Sequence, residues 1–462
     1  MKSKTNILCR TFAVFALACL AFTQNVRGLN PPPDGGYPGG NTAEGQNALF
    51  SLTTGGFNTA VGFFSLRSNT IGQFNTATGA GTLLASTADE NTATGAAALL
   101  SNTSGTANTA NGAFALFSNT SGGFNTANGD SALSSNTVGS QNTATGISAL
   151  TSNTSGSSNT GNGAYALANN TTANDNTANG MFALFSNTDG IDNTANGSQA
   201  LYSNTTGDRN TAMGLGALFA NSTGASNTAV GVSALGNNTN AVANTALGHD
   251  ALNNSTGNFN TALGYATGSG ITTANAVTCI GAQVAGADVS NTTWIANVYG
   301  VATQSGTTAP VVVSDNGQLG IAASSERFKK DIATMEKASE SILSLRPVTF
   351  HYRTDTTGAA QFGLIAEEVA KVNPDLVLRD EEGKPFTVRY DAVNAMLLNE
   401  FLKEHRKVED LKKELQATVS QQQKQIDALT AGLQKVSAQF GTSKPAMQTV
   451  SNKRSTIQAQ KK

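Results

Sequence analysis

Between residues 41 and 264 the dipeptide Asn-Thr recurs at 41, 58, 75, 91, 108, 125, 142, 159, 176, 193, 210, 227, 244 and 260, in steps of 17 residues with two of 16. A glycine follows four places after each asparagine, as at Gly45, Gly62 and Gly248, and a leucine eight places after nearly all of them, as at Leu49, Leu116 and Leu252. Self-similarity at a fixed short period requires stacked, near-identical units rather than one irregular globule. Each unit reads Asn-Thr-Ala-x-Gly-x-x-Ala-Leu-x-Ser-Asn-Thr-x-Gly. Glycine and Asn/Thr break any 3.6-residue face, so helix is disfavoured. The pattern predicts two short extended segments per unit, separated by glycines that take the positive φ of tight turns.

The expected fold for residues 41–264 is therefore a mainly β rod, a β-solenoid or β-roll of parallel rungs with asparagine and threonine ladders along its corners. Fourteen rungs at about 4.8 Å give roughly 65 Å. One buried leucine contributes only about 1.5–3 kcal/mol, while ordering each residue's backbone costs about 1–2 kcal/mol. That balance points to three chains packed around one axis, burying their alanine and leucine faces together. The array is similar in style to the head repeats of trimeric bacterial surface adhesins, although their repeat length differs.

Charge excludes several functions. The repeats carry only Arg67 and Arg209 as basic residues, too few cations to neutralise phosphates, so no nucleic-acid partner is expected. Their scattered acidic residues do not supply the regular aspartates of calcium-binding arrays. A threonine on every rung leaves ice binding as an alternative by resemblance. His351 and His405 lack a second histidine at helical spacing or a cysteine pair, so no metal and no cofactor is expected.

Residues 1–28 read as a secretory signal, with Lys2, Lys4 and Arg10 before an apolar run from Thr11 to Thr23 that is too short to span a bilayer. A secreted or cell-surface location follows. Ala16-Leu17-Ala18-Cys19 bears a faint likeness to a lipoprotein cleavage site, with alanine where leucine is expected. After signal removal only Cys279 remains, so no intrachain disulfide is expected. Residues 29–40, with Pro31-Pro32-Pro33, form an extended linker. Residues 265–323 read as a β connector containing the strand-like runs Val277–Gly281 and Thr293–Gly300, in which Cys279 and Trp294 are packing residues.

Beyond residue 323 the chain changes character, becoming charged and helix-forming. Residues 324–390 read as a small α+β module: a helix over 326–344, a strand over 347–353, a helix over 363–372 stopped before Pro374, and a strand over 385–390. Asp391 then caps a long helix. Over 391–440, Leu398, Val419, Ile426, Leu433 and Phe440 alternate at steps of three and four with Phe401, Val408, Leu415, Leu429 and Val436. This is a heptad seam, with His405, Lys412 and Gln422 as polar register-setters, and it predicts a coiled coil. Residues 441–462 read as a disordered tail.

At the boundary lies Ser324-Ser325-Glu326-Arg327-Phe328-Lys329. By composition Ser324 reads as a helix N-cap. Alternatively, Ser324 and Lys329 form a catalytic pair in which an uncharged amine takes the serine proton. Five residues along one helix leave a net rotation of about 140°, so the two meet only if Ser324 sits on the turn before the helix or the contact is between subunits.

The order of motifs adds a family resemblance. Ser324-x-Glu326-Arg327-Phe328-Lys329, Leu345–Phe350, Gly363–Val369, Asn373–Val377 and Val388–Asp391 resemble the endosialidase-type C-terminal intramolecular chaperone, a self-cleaving serine peptidase family. Ser325 stands where that family usually has aspartate, and Glu367 where it often has glutamine. The resemblance implies a trimer-assembly module that cuts the chain once, between Ala323 and Ser324, with Ser324 as nucleophile and Lys329 as base. The chain then reads as a secreted homotrimeric rod meeting a surface ligand such as a glycan or matrix. The competing reading is a fibre whose module trimerises without cutting.

Overall fold

The computed structural model describes residues 37–441. The expected secretory signal (1–28), most of the expected linker (29–40) and residues beyond Gly441 lie outside the described residues. The chain divides into two compact units, one ending at Gly306 and the other beginning at Thr307.

The first unit is a parallel β-solenoid. Sixteen three-residue strands, from β1 (Thr42–Glu44) to β16 (Thr293–Ile295), form one sheet in strict sequence order. Threonine pairs with threonine and alanine with alanine, as in Thr109↔Thr126 and Ala110↔Ala127. In a strand successive side chains alternate faces, so the central alanine points inward and its two neighbours outward. The stacking runs two coils past the last Asn-Thr pair, through Thr278–Ile280 and Thr293–Ile295, inside the stretch read as connector. There the asparagine is gone, yet threonine keeps its place and Cys279 and Trp294 take the alanine's.

One coil, Asn108–Phe124, serves for all. Only Thr109–Asn111 is strand; the second expected extended segment is turn. The reason is that Leu116 has φ 51° and Phe114 φ 56°, left-handed values that cost an L-residue about 1–2 kcal/mol. Two gains offset this: Leu116 is completely buried, and its N–H donates to the Ala132 carbonyl of the next coil at 3.0 Å. Coil-to-coil backbone bonds continue outside the strand, from Gly112 to the Thr94 carbonyl at 2.8 Å and from Thr120 to that of Thr137 at 2.9 Å. Gly112 is obligatory. Its φ is +140°, and a Cβ there would sit 2.4 Å from the Gly129 carbonyl oxygen.

The coil interior holds alanine, leucine and asparagine. Twelve leucines from Leu66 to Leu252 are stacked with no exposure above 2 %. The alanine and leucine faces thus need no second chain to cover them, contrary to the expectation drawn from a flat rung: the turns wrap each coil around its own core. Asn108 is equally buried. Its amide donates to the Asn91 side-chain oxygen at 3.2 Å and the Gly122 carbonyl at 2.9 Å; its oxygen accepts from the Asn125 backbone and side chain, both at 3.0 Å. A second ladder runs through Asn102, Asn119 and Asn136 with 2.7 Å steps. A buried amide left unpaired would cost about 1–3 kcal/mol; here each rung satisfies the next.

In the second unit, β17 (Val312–Val313) and β18 (Leu319–Gly320) make a short antiparallel hairpin. Two further antiparallel pairs follow, β19 (Val348–Phe350) with β20 (Gln361–Gly363), and β21 (Val377–Arg379) with β22 (Pro385–Val388). They flank helix α1 (Ala366–Val372). The core is small: Val369, Leu376, Val377, Val388 and Met396. Helix α2 runs from Tyr390 to Phe440, about 75 Å of helix. It starts at Tyr390 with no side-chain cap, so Asp391 lies in its first turn. The apolar seam residues Phe401, Val408, Leu415, Ile426, Leu429 and Leu433 are all exposed. Among the described residues no helix is long and apolar enough to cross a membrane.

Candidate functional site

The stretch after Ala323 does not form the single helix expected over 326–344. A one-turn 3-10 helix spans Glu326–Phe328, closed by Phe328 N–H to the Ser325 carbonyl at 3.0 Å and Lys329 N–H to that of Glu326 at 2.9 Å. Lys329 is extended, Asp331 has φ 54°, and a second 3-10 helix begins only at Glu336 and ends at Ser344. The break has a local cause, since extended Lys329 and left-handed Asp331 are both incompatible with a continuous helix.

This break sets the geometry of the serine and lysine. The N-cap position belongs to Ser325, which makes no side-chain cap bond, so Ser324 is not the helix cap that composition suggests. Ser324 precedes the tight turn and Lys329 follows it. The Lys329 ammonium Nζ donates to Ser324 Oγ at 3.2 Å. Five residues apart on a continuous helix would diverge; one tight turn followed by extended chain folds the lysine back over the serine. Both side chains are exposed in the single chain. Beside them the Arg327 guanidinium lies 4.6 Å from the Phe328 ring centre, and Phe328 and Ile332 are themselves exposed.

The other motif residues hold the module together. Arg346 donates through Nε and Nη2 to the two carboxylate oxygens of Glu368 at 3.1 and 2.5 Å, and these bonds hold the Glu368 carboxyl below its ordinary range. Asn373 caps the Pro374–Leu376 turn by accepting from the Asp375 N–H at 3.0 Å. Arg389 donates to the Asp375 carbonyl at 3.1 Å. The Tyr390 hydroxyl accepts from the Leu364 N–H at 3.0 Å.

One cluster carried no sequence signal. Ser339 is buried and donates to the Glu400 carboxylate, which also accepts from Lys403 at 2.7 Å; Asn399 donates to Ser339 Oγ at 2.7 Å. The bonds from Lys403 and Ser339 hold the Glu400 carboxyl below its ordinary range. These contacts tie the Glu336–Ser344 turn to α2 across about 60 residues of sequence, and so join the start of the module to the long helix. Among the described residues no group of histidine, cysteine and carboxylate side chains is placed to hold a metal ion.

No curated protein and no solved structure matches the chain. Residues 324–378 match the family described as Chaperone of endosialidase. The matched segment begins at Ser324 and takes in Lys329, the Arg346–Glu368 pair and the Asn373 cap. The chain therefore carries a C-terminal endosialidase-type chaperone domain behind a long parallel β-solenoid.

Proposed function

We propose that the protein is a secreted or cell-surface homotrimeric rod whose C-terminal domain aligns three chains and then cuts itself free between Ala323 and Ser324. The observation that carries this reading is the 3.2 Å contact between Lys329 Nζ and Ser324 Oγ at the first residue of the matched domain. With the lysine neutral, the same contact runs in reverse: the amine accepts the hydroxyl proton as Oγ attacks the Ala323 carbonyl carbon. The peptide nitrogen takes up a proton as its bond to that carbon breaks, leaving an Ala323 ester on Ser324 and a free Ser324 amine. Water then hydrolyses the ester, giving the Ala323 carboxylate and restoring the serine.

A lysine ordinarily titrates near about 10.4, so this chemistry at neutral pH requires desolvation or a neighbouring cation. Both arise if three copies come together here, with Arg327 and Lys330 supplying like charge. Timing follows from the same requirement, since a site completed only on assembly spares unassembled chains. The exposed α2 seam supports trimerisation, because an isolated helix of this length leaves a continuous apolar stripe in water.

The test is substitution. Ser324→Ala and Lys329→Ala should each yield a full-length chain that still assembles as a trimer, whereas the parent chain yields a fragment beginning at Ser324. Cutting that persists in Ser324→Ala would refute the nucleophile. A parent chain that assembles and stays intact would decide for the non-cleaving fibre.

A further inference from the structure

The outward residue that ends each strand forms a column along the solenoid sheet; it opens on Glu44 and Val61, is polar from the third strand to the tenth, and is apolar from there on. From the third to the tenth strand it reads Thr78, Thr94, Asn111, Asn128, Thr145, Asn162, Asn179 and Asn196, each in register with the next. After the Asn196↔Met213 pairing it reads Met213, Val230, Leu247, Leu263, Ile280 and Ile295 without interruption. Met213, Leu247, Leu263, Ile280 and Ile295 are 38–48 % exposed. Leu215, Val232 and Tyr265, two places after their own column residues, are exposed as well. A soluble chain scatters exposed apolar residues singly; a contiguous row marks a contact surface.

Three features select the occupant. The row itself is uncharged and in register from coil to coil, with His249, paired to Asp250, at the flanking position of its own coil, so it fits another apolar row of the same spacing. A second copy in register supplies one: under threefold symmetry each column residue faces its own equivalents, and six rungs about 4.8 Å apart meet six identical rungs. The row also lies in the last coils, those nearest in sequence to the assembly domain. Six rungs about 4.8 Å apart make a row about 24 Å long, and at one to two side chains wide it offers less than the roughly 800 Å² that a standard interface buries per partner. The row is therefore too small to hold chains together unaided and is suited to close after another element has gathered them.

We infer that the outward apolar column from Met213 to Ile295 is where three copies of the solenoid pack on one another, while the Thr/Asn column from Thr78 to Asn196 stays free in water. This rests on the trimer reading above. The occupied length is set by composition: replacing Asn196 by Met213 in the column marks where the rods part.

The test is cysteine cross-linking in the full chain, with Cys9→Ser, Cys19→Ser and Cys279→Ala as background; alanine is the residue other coils carry at the Cys279 position. Leu263→Cys is compared with Asn162→Cys on the same column, and the oligomeric state is measured by light scattering before oxidation. The expected result is a trimer in both cases, interchain disulfides for Leu263→Cys, and none for Asn162→Cys. Leu247→Asn added to Leu263→Cys should abolish the cross-link without dissolving the trimer. A trimer in which Leu263→Cys does not cross-link overturns the column interface while leaving the trimer reading standing. A monomer overturns both. A trimer whose Leu263→Cys is protected from oxidation only in the presence of added lipid vesicles or another protein also overturns the inference, because the row then serves a different partner.

Discussion

Asn142→Ala isolates what the buried amide ladder contributes. The Asn142 amide donates to the Asn125 side-chain oxygen at 3.1 Å and the Gly156 carbonyl at 2.8 Å. Its oxygen accepts from the Asn159 backbone N–H at 3.0 Å and the Asn159 amide at 3.2 Å. Truncation leaves some of these groups with other partners. Gly156 still accepts from Asn153 at 2.9 Å, and the Asn159 amide still donates to the Ala173 carbonyl at 2.8 Å. Two donors are orphaned: the Asn159 backbone N–H and one Asn159 amide proton, both in a fully buried position. At about 1–3 kcal/mol for each buried unsatisfied group, the loss is about 2–6 kcal/mol. Because stacked repeats couple mainly to their neighbours, the loss should concentrate in the coils beside the substitution.

The assay is amide hydrogen exchange, read coil by coil, with Asn162→Ala on the exposed column as the control. Exchange at Asn159 and Thr160 should accelerate strongly in Asn142→Ala and stay near parent values in Asn162→Ala. Equal, small effects in the two variants would refute the claim that the ladder, rather than backbone pairing alone, holds the coils in register.

Gly112→Ala should destabilise the solenoid by about 1–3 kcal/mol from backbone strain alone, with more from the 2.4 Å approach of the Gly129 carbonyl; equilibrium unfolding measures it, and a neutral result would contradict the turn geometry. The Asp288 carboxylate accepts from the Thr272 hydroxyl and from the Ala274, Thr272 and Thr273 N–H groups, which hold it far below the ordinary carboxylate range. A depressed carboxylate stabilises above its unfolded pKa and loses that contribution as pH falls through the folded value. Protection of the Thr272–Ala274 amides should therefore stay level from neutral pH down to the ordinary carboxylate range and fall progressively below it until the folded value is passed, whereas Asp288→Asn should weaken it already at neutral pH. Chains ending at Ala323 should fail to form soluble trimers, measured by sedimentation, and soluble trimeric rods from such chains would remove the chaperone role. The segment 324–462 should scatter light as a trimer at micromolar concentration; a stable folded monomer would sink the seam argument.

Much of the rod was legible because the same chemistry recurs at every coil. The Asn-Thr-Ala-x-Gly core of each repeat predicted parallel rungs, ladders and glycine turns, and the strands begin at the threonines of those pairs. What stayed hidden was conformational. Leu116 and its equivalents adopt left-handed backbone against their own preference, and only the stacked neighbour that hydrogen-bonds them makes this favourable. Without that, the segment reads as a second strand and the leucine face as something another chain must cover. Rungs at Thr278 and Thr293 were hidden for a simpler reason, since the asparagine that marks a repeat is replaced by Val277 and Thr292. In the C-terminal unit the strand at Val348–Phe350, the helix stopped before Pro374, the strand ending at Val388 and the long helix were legible, whereas the strands Gln361–Gly363 and Val377–Arg379 were not, being only three residues long. The helix over 326–344 was not: helix-forming residues there are overruled by the break at Lys329 and Asp331, the same break that brings lysine and serine together.

Self-cleavage that waits for assembly is the central claim, and intact-mass measurement of chains separated by oligomeric state tests it most directly. The account predicts that the trimeric fraction contains chains ending at Ala323 and fragments beginning at Ser324, and that any monomeric fraction contains only uncut chains. Uncut chains throughout a fully trimeric fraction, or cut chains among monomers, would contradict it.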